Sequence, residues 1–377
     1  MAQNPLDVQE LLDRCIGPLS ESMPTLLSCS LVARSWVNPA QSRIFATSPH
    51  RIRTLGYHNA NIGTVISQFC DALRDSPHLI HHVRTLHVFT DDTISESAPG
   101  IGEKLCSIIF TRLERLYFYS SSWTTLEWHN LSLVHLQRLV SLPSLDSLML
   151  YVPANSFPFF EPLFPHLSPT IKHLNLHCIR WNADDMPVSS DNAPIIQLKS
   201  LVLSVMESVG PIQSLPSTRM FSPFDFSHLW GLQISRFSFH VLWPTLPEET
   251  KQSIRILDIY LQARFPPDVD LSAFPSLSAL RIDAYSHPVL VSALASGLSR
   301  SVDTVVIGHE CSAINIDGAT LDNILGSFSQ DFSVVFESED YTLEVYATRY
   351  PILASQNRLS VTSRVGRQNG WFTEMVM

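Results

Sequence analysis

The residues of this 377-residue chain best suited to chemistry are its histidines and cysteines. His173 and His177 share one face of the segment IKHLNLHC, where two imidazoles could hold a divalent metal. Four residues of extended chain separate them by about 13 Å, too far for one ion without a third element. The six cysteines, at positions 15, 29, 70, 106, 178 and 311, make no Cys-x-x-Cys pair and no regular framework. They read as small buried hydrophobes of a reducing compartment, not as thiol nucleophiles or zinc ligands. No G-x-S-x-G elbow, H-E-x-x-H helix or phosphate-cradling glycine loop occurs, and glycine totals only 13. The expectation is a chain that is not an enzyme and carries no metal and no cofactor.

Charge narrows the choice of partner. The formal net charge is −10 and no run of Lys and Arg could track a phosphate backbone, so nucleic acid is not expected as a ligand. The opening MAQNPLDVQELLDRC lacks a basic region followed by an apolar run, and no apolar stretch approaches the ~18 residues a bilayer span requires. An intracellular protein of cytoplasm or nucleus, without a membrane partner, is expected. Charged residues make up 16% and apolar ones 45%, against roughly 25% charged in ordinary soluble domains, so much of the chain should be buried or held for contact.

What must position any binding residues is a repeat. Nine times the chain writes a phrase with apolar residues at positions 1, 4 and 6, starting at Val83, Leu113, Leu145, Ile171, Leu198, Leu229, Ile254, Leu277 and Val302. The steps between starts run from 23 to 32 residues, a loosely held period of the kind that marks a solenoid. Helical stripes lie between phrases at Ile62, Val65, Ile66, Phe69 and Leu73, and at Leu290, Ala293, Leu294, Gly297 and Leu298, so strand and helix alternate. Prolines between Leu113 and Leu229 predict loops and short turns there instead.

In a strand, positions 4 and 6 point one way and positions 3, 5 and 7 the other. Stacked parallel, the second set would form a concave field. Phe89, Tyr117, Tyr119, Met149 and Tyr151 supply its large side chains, with His173, Asn175 and His177 beside them. Aromatic side chains of this kind are favoured at the centres of protein interfaces, so these eight are the candidate ligand-binding residues.

The ends differ from the middle. Val8, Leu11, Leu12, Cys15 and Ile16 make one helical stripe. A second helix should open near Pro24, with Leu27 and Leu31 one turn apart, and a third is predicted with Asn38 as cap and Pro39 in the first turn. This gives a three-helix domain over 1–50. The repeats occupy 51–350, closed by a hairpin FSVVFESEDYTLEVYA turned at Glu339-Asp340 that caps the last strand, and 351–377 form a tail expected to be partly disordered.

The N-terminal segments PLDVQELLDRCIG and TLLSCSLVARSWVNPAQSRIF resemble the F-box-like domain of many fungal proteins, most closely in Leu26 through Trp36 and the short helix ending at Phe45. The likeness covers about one eighth of the chain. It implies an α/β fold, an irregular leucine-rich-repeat-like βα-solenoid with parallel strands on its concave face behind a small three-helix F-box-like domain. It also implies a substrate-receptor subunit of a ubiquitin ligase, whose box docks on a Skp-type adaptor of a cullin complex while the repeats bind a protein substrate. Carried over by position, adaptor contact falls to Pro5, Leu6, Val8, Leu11, Leu12, Ile16, Leu27, Leu31, Val32 and Trp36. Two features depart from the family: Asn4-Pro5-Leu6 replaces the usual Leu-Pro opening, and the repeats lack the Asn or Cys that follows each strand, so each turn must satisfy its backbone in another way. The alternative is a repeat scaffold that binds protein but enters no ligase.

Overall fold

The computed structural model describes residues 14–19, 22–32, 34–46, 62–90, 101–120, 133–151, 161–177, 195–204, 224–235, 246–261, 270–284, 287–308, 318–328, 332–338, 342–362 and 372. The chain is an α/β protein and forms two compact units, Met1–Ile171 with Ser190–Pro194, and Lys172–Ser189 with Ile195–Met377. The N-terminal helices meet the start of the first strand, where the Arg84 N–H donates to the carbonyl of Ala46 at 3.1 Å.

In the first unit β1 (Thr85–Thr90), β2 (Arg115–Ser120) and β3 (Ser147–Tyr151) lie side by side, all parallel. The second unit holds β4 (His173–His177), β6 (Ser200–Ser204), β8 (Gly231–Ser235), β9 (Ile256–Leu261), β10 (Ala279–Ala284), β11 (Thr304–Ile307), β12 (Ser333–Glu337) and β13 (Leu359–Thr362), again parallel and in that order. The two-residue segments β5 (Ile196–Gln197) and β7 (Phe224–Asp225) pair apart from these. Register follows the phrase: Leu86, Leu116 and Leu148 align at position 4, as do Leu174, Leu201, Leu232, Leu257, Leu280 and Val305.

Alternation is the cause. Positions 1, 4 and 6 of all nine phrases are no more than 1% exposed. Slipping one strand by a residue would turn positions 4 and 6 to the other face, so register is held by burial. Each fully buried Leu, Ile or Val contributes about 1.5–3 kcal/mol relative to exposure, which is why degenerate spacing between phrases is tolerated but apolar character within them is not.

Two hydrogen-bonding devices join successive units. The carbonyl at position 2 accepts from two N–H groups of the next unit: Arg84 O from Glu114 and Arg115 at 2.8 and 2.9 Å, and Arg255 O from Ser278 and Ala279 at 2.8 and 3.0 Å. In addition, a hydroxyl one residue ahead of the phrase donates back to the position-1 carbonyl of the unit before. Ser144 Oγ reaches Leu113 O at 2.8 Å, Thr170 Oγ1 reaches Leu145 O at 2.8 Å, Ser253 Oγ reaches Leu229 O at 2.7 Å and Ser301 Oγ reaches Leu277 O at 3.0 Å.

Three expectations for the ends are corrected. No helix starts at Asn38: one helix runs Arg34–Ala46 with Pro39 inside it. Trp36 and Ile44, at i and i+8, pack on the core of Ile16, Leu26, Cys29 and Ala40, and this stripe carries the helix through the proline. Nor is there a hairpin after β12. The segment Leu343–Arg349 is helical, because Tyr346 and Tyr350, four apart, both stack on Phe336 with ring centroids at 4.7 Å, while the alternating Leu343 and Val345 are exposed. Within the expected tail, residues 351–362 are regular, with a helix Pro351–Ser355 and β13 adding one more parallel rung. Asp322, buried, holds that helix by accepting from the N–H groups of Ile352 and Leu353 at 2.8 and 3.0 Å.

Replacing Ser144 or Ser301 by Ala is expected to lower unfolding free energy by about 1–2 kcal/mol each, since a carbonyl in the turn loses its donor. Ser141→Ala, whose hydroxyl bonds locally to Arg138 O on the surface, should change little, and urea unfolding midpoints measure all three.

Candidate functional site

In the first unit the outward positions of β1, β2 and β3 form one row. The imidazole of His87, buried at position 5 of β1, lies flat on Tyr117 with centroids 4.4 Å apart and planes at 7°. Tyr119 is parallel to the same imidazole at 6.5 Å, and its hydroxyl donates to Met149 Sδ at 3.5 Å. Tyr151 closes the row at 6.0 Å from Tyr119. Direct neighbours in register make this possible: Tyr117 faces His87 and Met149, and Tyr119 faces Tyr151. His87 is not among the eight candidates, although it is an outward position of its phrase. It sits at position 5, in register with Tyr117, and that register is the signal that would have found it.

Tyr117, Tyr119 and Tyr151 are half-buried, while Met149 is buried. Burial pushes the Tyr117 phenol up, Arg115 opposing. The backbone of Phe89 lies in β1, and its side chain is outside the described residues. The row can take apolar and π contacts along its faces and hydrogen bonds at its edge, as a protein interface does.

The second unit brings the histidines to β4 but not to one function. His173 is half-buried, its Nδ1 2.8 Å from Ser200 Oγ. Asn175 is half-buried, and its Oδ1 has no hydrogen-bond donor among the described residues. His177 is 5% exposed, and burial pulls its imidazole down to about 4, so it is neutral at pH 7 and out of a ligand's reach. Its expected place at the binding surface is therefore corrected.

Further along this face lies the strongest electrostatic feature. Arg281 on β10 sits among three buried carboxylates, 3.0 Å from Asp258 Oδ1, 3.3 Å from Asp283 Oδ2 and 2.8 Å from Glu337 Oε2. Burial pushes the Asp258 carboxyl up to about 6 despite the guanidinium beside it. The space for Asp283 exists because position 7 of the phrase that carries β11 is Gly308, where a Cβ would overlap the Asp283 carboxyl. This cluster ties β9, β10 and β12 together across β11. Among the described residues no group of three or more His, Cys, Asp or Glu could hold a metal ion.

The N-terminal candidates divide. Pro5, Leu6, Val8, Leu11 and Leu12 lie outside the described residues. Ile16 is core and Trp36 packs against that core. Leu27, Leu31 and Val32 point away from it, 51%, 86% and 66% exposed, on the helix Met23–Val32 whose other side buries Leu26 and Cys29. Of the cysteines, Cys29, Cys70 and Cys106 are buried, and burial, aided by Asp71, pushes the Cys70 thiol up to about 12, where it is inert.

Compared with known proteins, the chain matches no family model and no curated sequence. No helix among the described residues is long and apolar enough to cross a membrane.

Two measurements check the electrostatics. His177 must gain a proton on unfolding below its ordinary pKa, so its contribution is complete above about pH 6.5 and is lost as pH falls toward 4. Between pH 6.5 and 5 the wild type should lose on the order of 2 kcal/mol more than His177→Gln. Reading the difference between the two proteins cancels Asp258, whose raised value acts with opposite sign by removing stability as pH rises from about 4 to 6. Arg281→Met, which strands three carboxylates, should cost about 3–5 kcal/mol in denaturant unfolding, and adding Asp258→Asn should recover part of it.

Proposed function

We propose that the chain is a substrate-receptor subunit of a Skp-cullin-F-box type ubiquitin ligase, with no active site of its own. The observation that carries this reading is the division of the N-terminal helices into a packed side and an unpacked apolar side. Leu27, Leu31 and Val32 are large, apolar and exposed in a segment that resembles an F-box, and an exposed apolar patch rimmed by polar residues such as Ser28 and Arg34 is suited to a protein partner. In this reading the Skp-type adaptor covers these three residues, with the cullin complex beyond it. Ile16, and largely Trp36, serve the domain's own core.

The repeats then act as a leucine-rich-repeat-like solenoid that offers Tyr117, Tyr119 and Tyr151, backed by the buried imidazole of His87, to a protein substrate. Rigid aromatic side chains lose little rotamer entropy on binding and concentrate interface energy, which supports an anchor role. Catalysis is by proximity. Holding a target next to a ubiquitin-loaded partner raises effective concentration without any chemistry in this chain.

The test is a pull-down of the purified full chain with a Skp-type adaptor. The wild type should retain adaptor, Leu27→Asp with Leu31→Asp should lose it, and Tyr117→Ala with Tyr119→Ala should retain it. Adaptor held equally by the Leu27/Leu31 variant, with an unchanged circular dichroism spectrum, would refute the assignment of the docking face. A wild type that never retains adaptor leaves a protein-binding scaffold outside any ligase.

A further inference from the structure

A third part of the molecule carries information that neither the adaptor face nor the tyrosine row uses. Phe372, five residues from the end of the sequence, is 2% exposed. It packs not in the core formed by positions 1, 4 and 6 but with Val202, Ile256 and Ala279, and Trp230 lies against the same group. Val202 is position 5 of its phrase, and Ile256 and Ala279 are position 3 of theirs, so all three belong to the outward face of the second unit's sheet. An aromatic side chain from the far end of the chain is thus seated on the face that the repeat leaves for ligands.

The distances allow the tail to reach. Strands at a spacing of about 4.8 Å put Ala279 some 14 Å and Val202 some 29 Å from β13, counted along the strand order. Nine residues lie between Thr362, the end of β13, and Phe372, and the ten residue steps span about 33 Å when extended. The floor under the ring is apolar and partly small, with Ala279 between larger neighbours, which makes a seat for a flat side chain.

We propose that this patch is an aromatic-binding groove which the chain fills with its own Phe372, so that a partner presenting an aromatic side chain enters only by displacing the C-terminal segment. This rests on reading the outward face as a binding surface and does not depend on the adaptor. The tail is a tethered competitor. A short tether holds its ligand at an effective concentration in the millimolar range, and the apparent affinity of any outside ligand falls by the fraction of time the groove is closed.

The experiment uses full-length protein and a fluorescein-labelled peptide of residues 363–377, read by anisotropy. Phe372→Ala protein, its groove empty, should bind the peptide at least ~tenfold more tightly than wild type. The same peptide carrying Phe372→Ala should bind neither protein, and Val202→Glu added to the Phe372→Ala chain should abolish binding. Limited trypsin digestion gives a second readout. Arg364 and Arg367 lie between β13 and Phe372, and cleavage there should be at least ~fivefold faster in Phe372→Ala and in Val202→Glu than in wild type, with the body of the protein intact. Equal affinity for wild type and Phe372→Ala, unchanged cleavage, or loss of cooperative unfolding in Phe372→Ala would each overturn the proposal, the last by making Phe372 an ordinary core residue. None of these outcomes alters adaptor retention, so the groove and the ligase assignment stand or fall separately.

Discussion

The structure depends on the burial of three side chains per phrase at the same depth in successive parallel strands. Because positions 1, 4 and 6 are closed to solvent in all nine phrases, each strand is locked in register with its neighbours, and the outward positions inherit that register without any interaction of their own. The stacking of His87 on Tyr117 and the approach of Arg281 to Asp258 are consequences of it, since each pair consists of direct neighbours across two strands. The arrangement of side chains on the outer face is therefore set by the core, and a core substitution would disturb it from the opposite side of the sheet.

The uneven step between phrases has a physical account. The turn between units is satisfied by a doubly accepting carbonyl at position 2 and a hydroxyl just ahead of position 1. Neither device requires a fixed number of residues in the returning segment, which is free to be a helix such as His287–Ala295, a short turn such as Glu161–His166, or something else. Gly297, at φ +105°, supplies the left-handed residue that turns the chain out of the first of these toward β11.

Charge is used sparingly and at high stakes. One guanidinium against three carboxylates is an arrangement that burial makes costly unless it is fully hydrogen-bonded, and it spans strands that the apolar core already joins. Its value lies in specificity: β10 can neighbour β9 on one side and, across Gly308, approach β12 on the other in only one register. The exposed Leu27, Leu31 and Val32 show the opposite situation, apolar surface left without cover on a helix whose other side is satisfied.

By itself the sequence determined the nine rungs, their inward triads, the alternation with helices at Ile62–Asp75 and His287–Ala295, and the row of outward tyrosines, because period two and burial are local properties written residue by residue. Two rungs escaped it. In β12 and β13 position 1 would fall on Asp331 and Gln356, and the helix Leu343–Arg349 shows strand-like alternation in its exposed residues while its buried tyrosines keep helical spacing. Only the tertiary structure decided which apolar residues of the N-terminal helices face a core, that His177 and Met149 lie beneath the surface, and that Phe372 returns to the outward face. Each of these turns on what packs over a residue from far along the chain, and a local pattern carries no information about that.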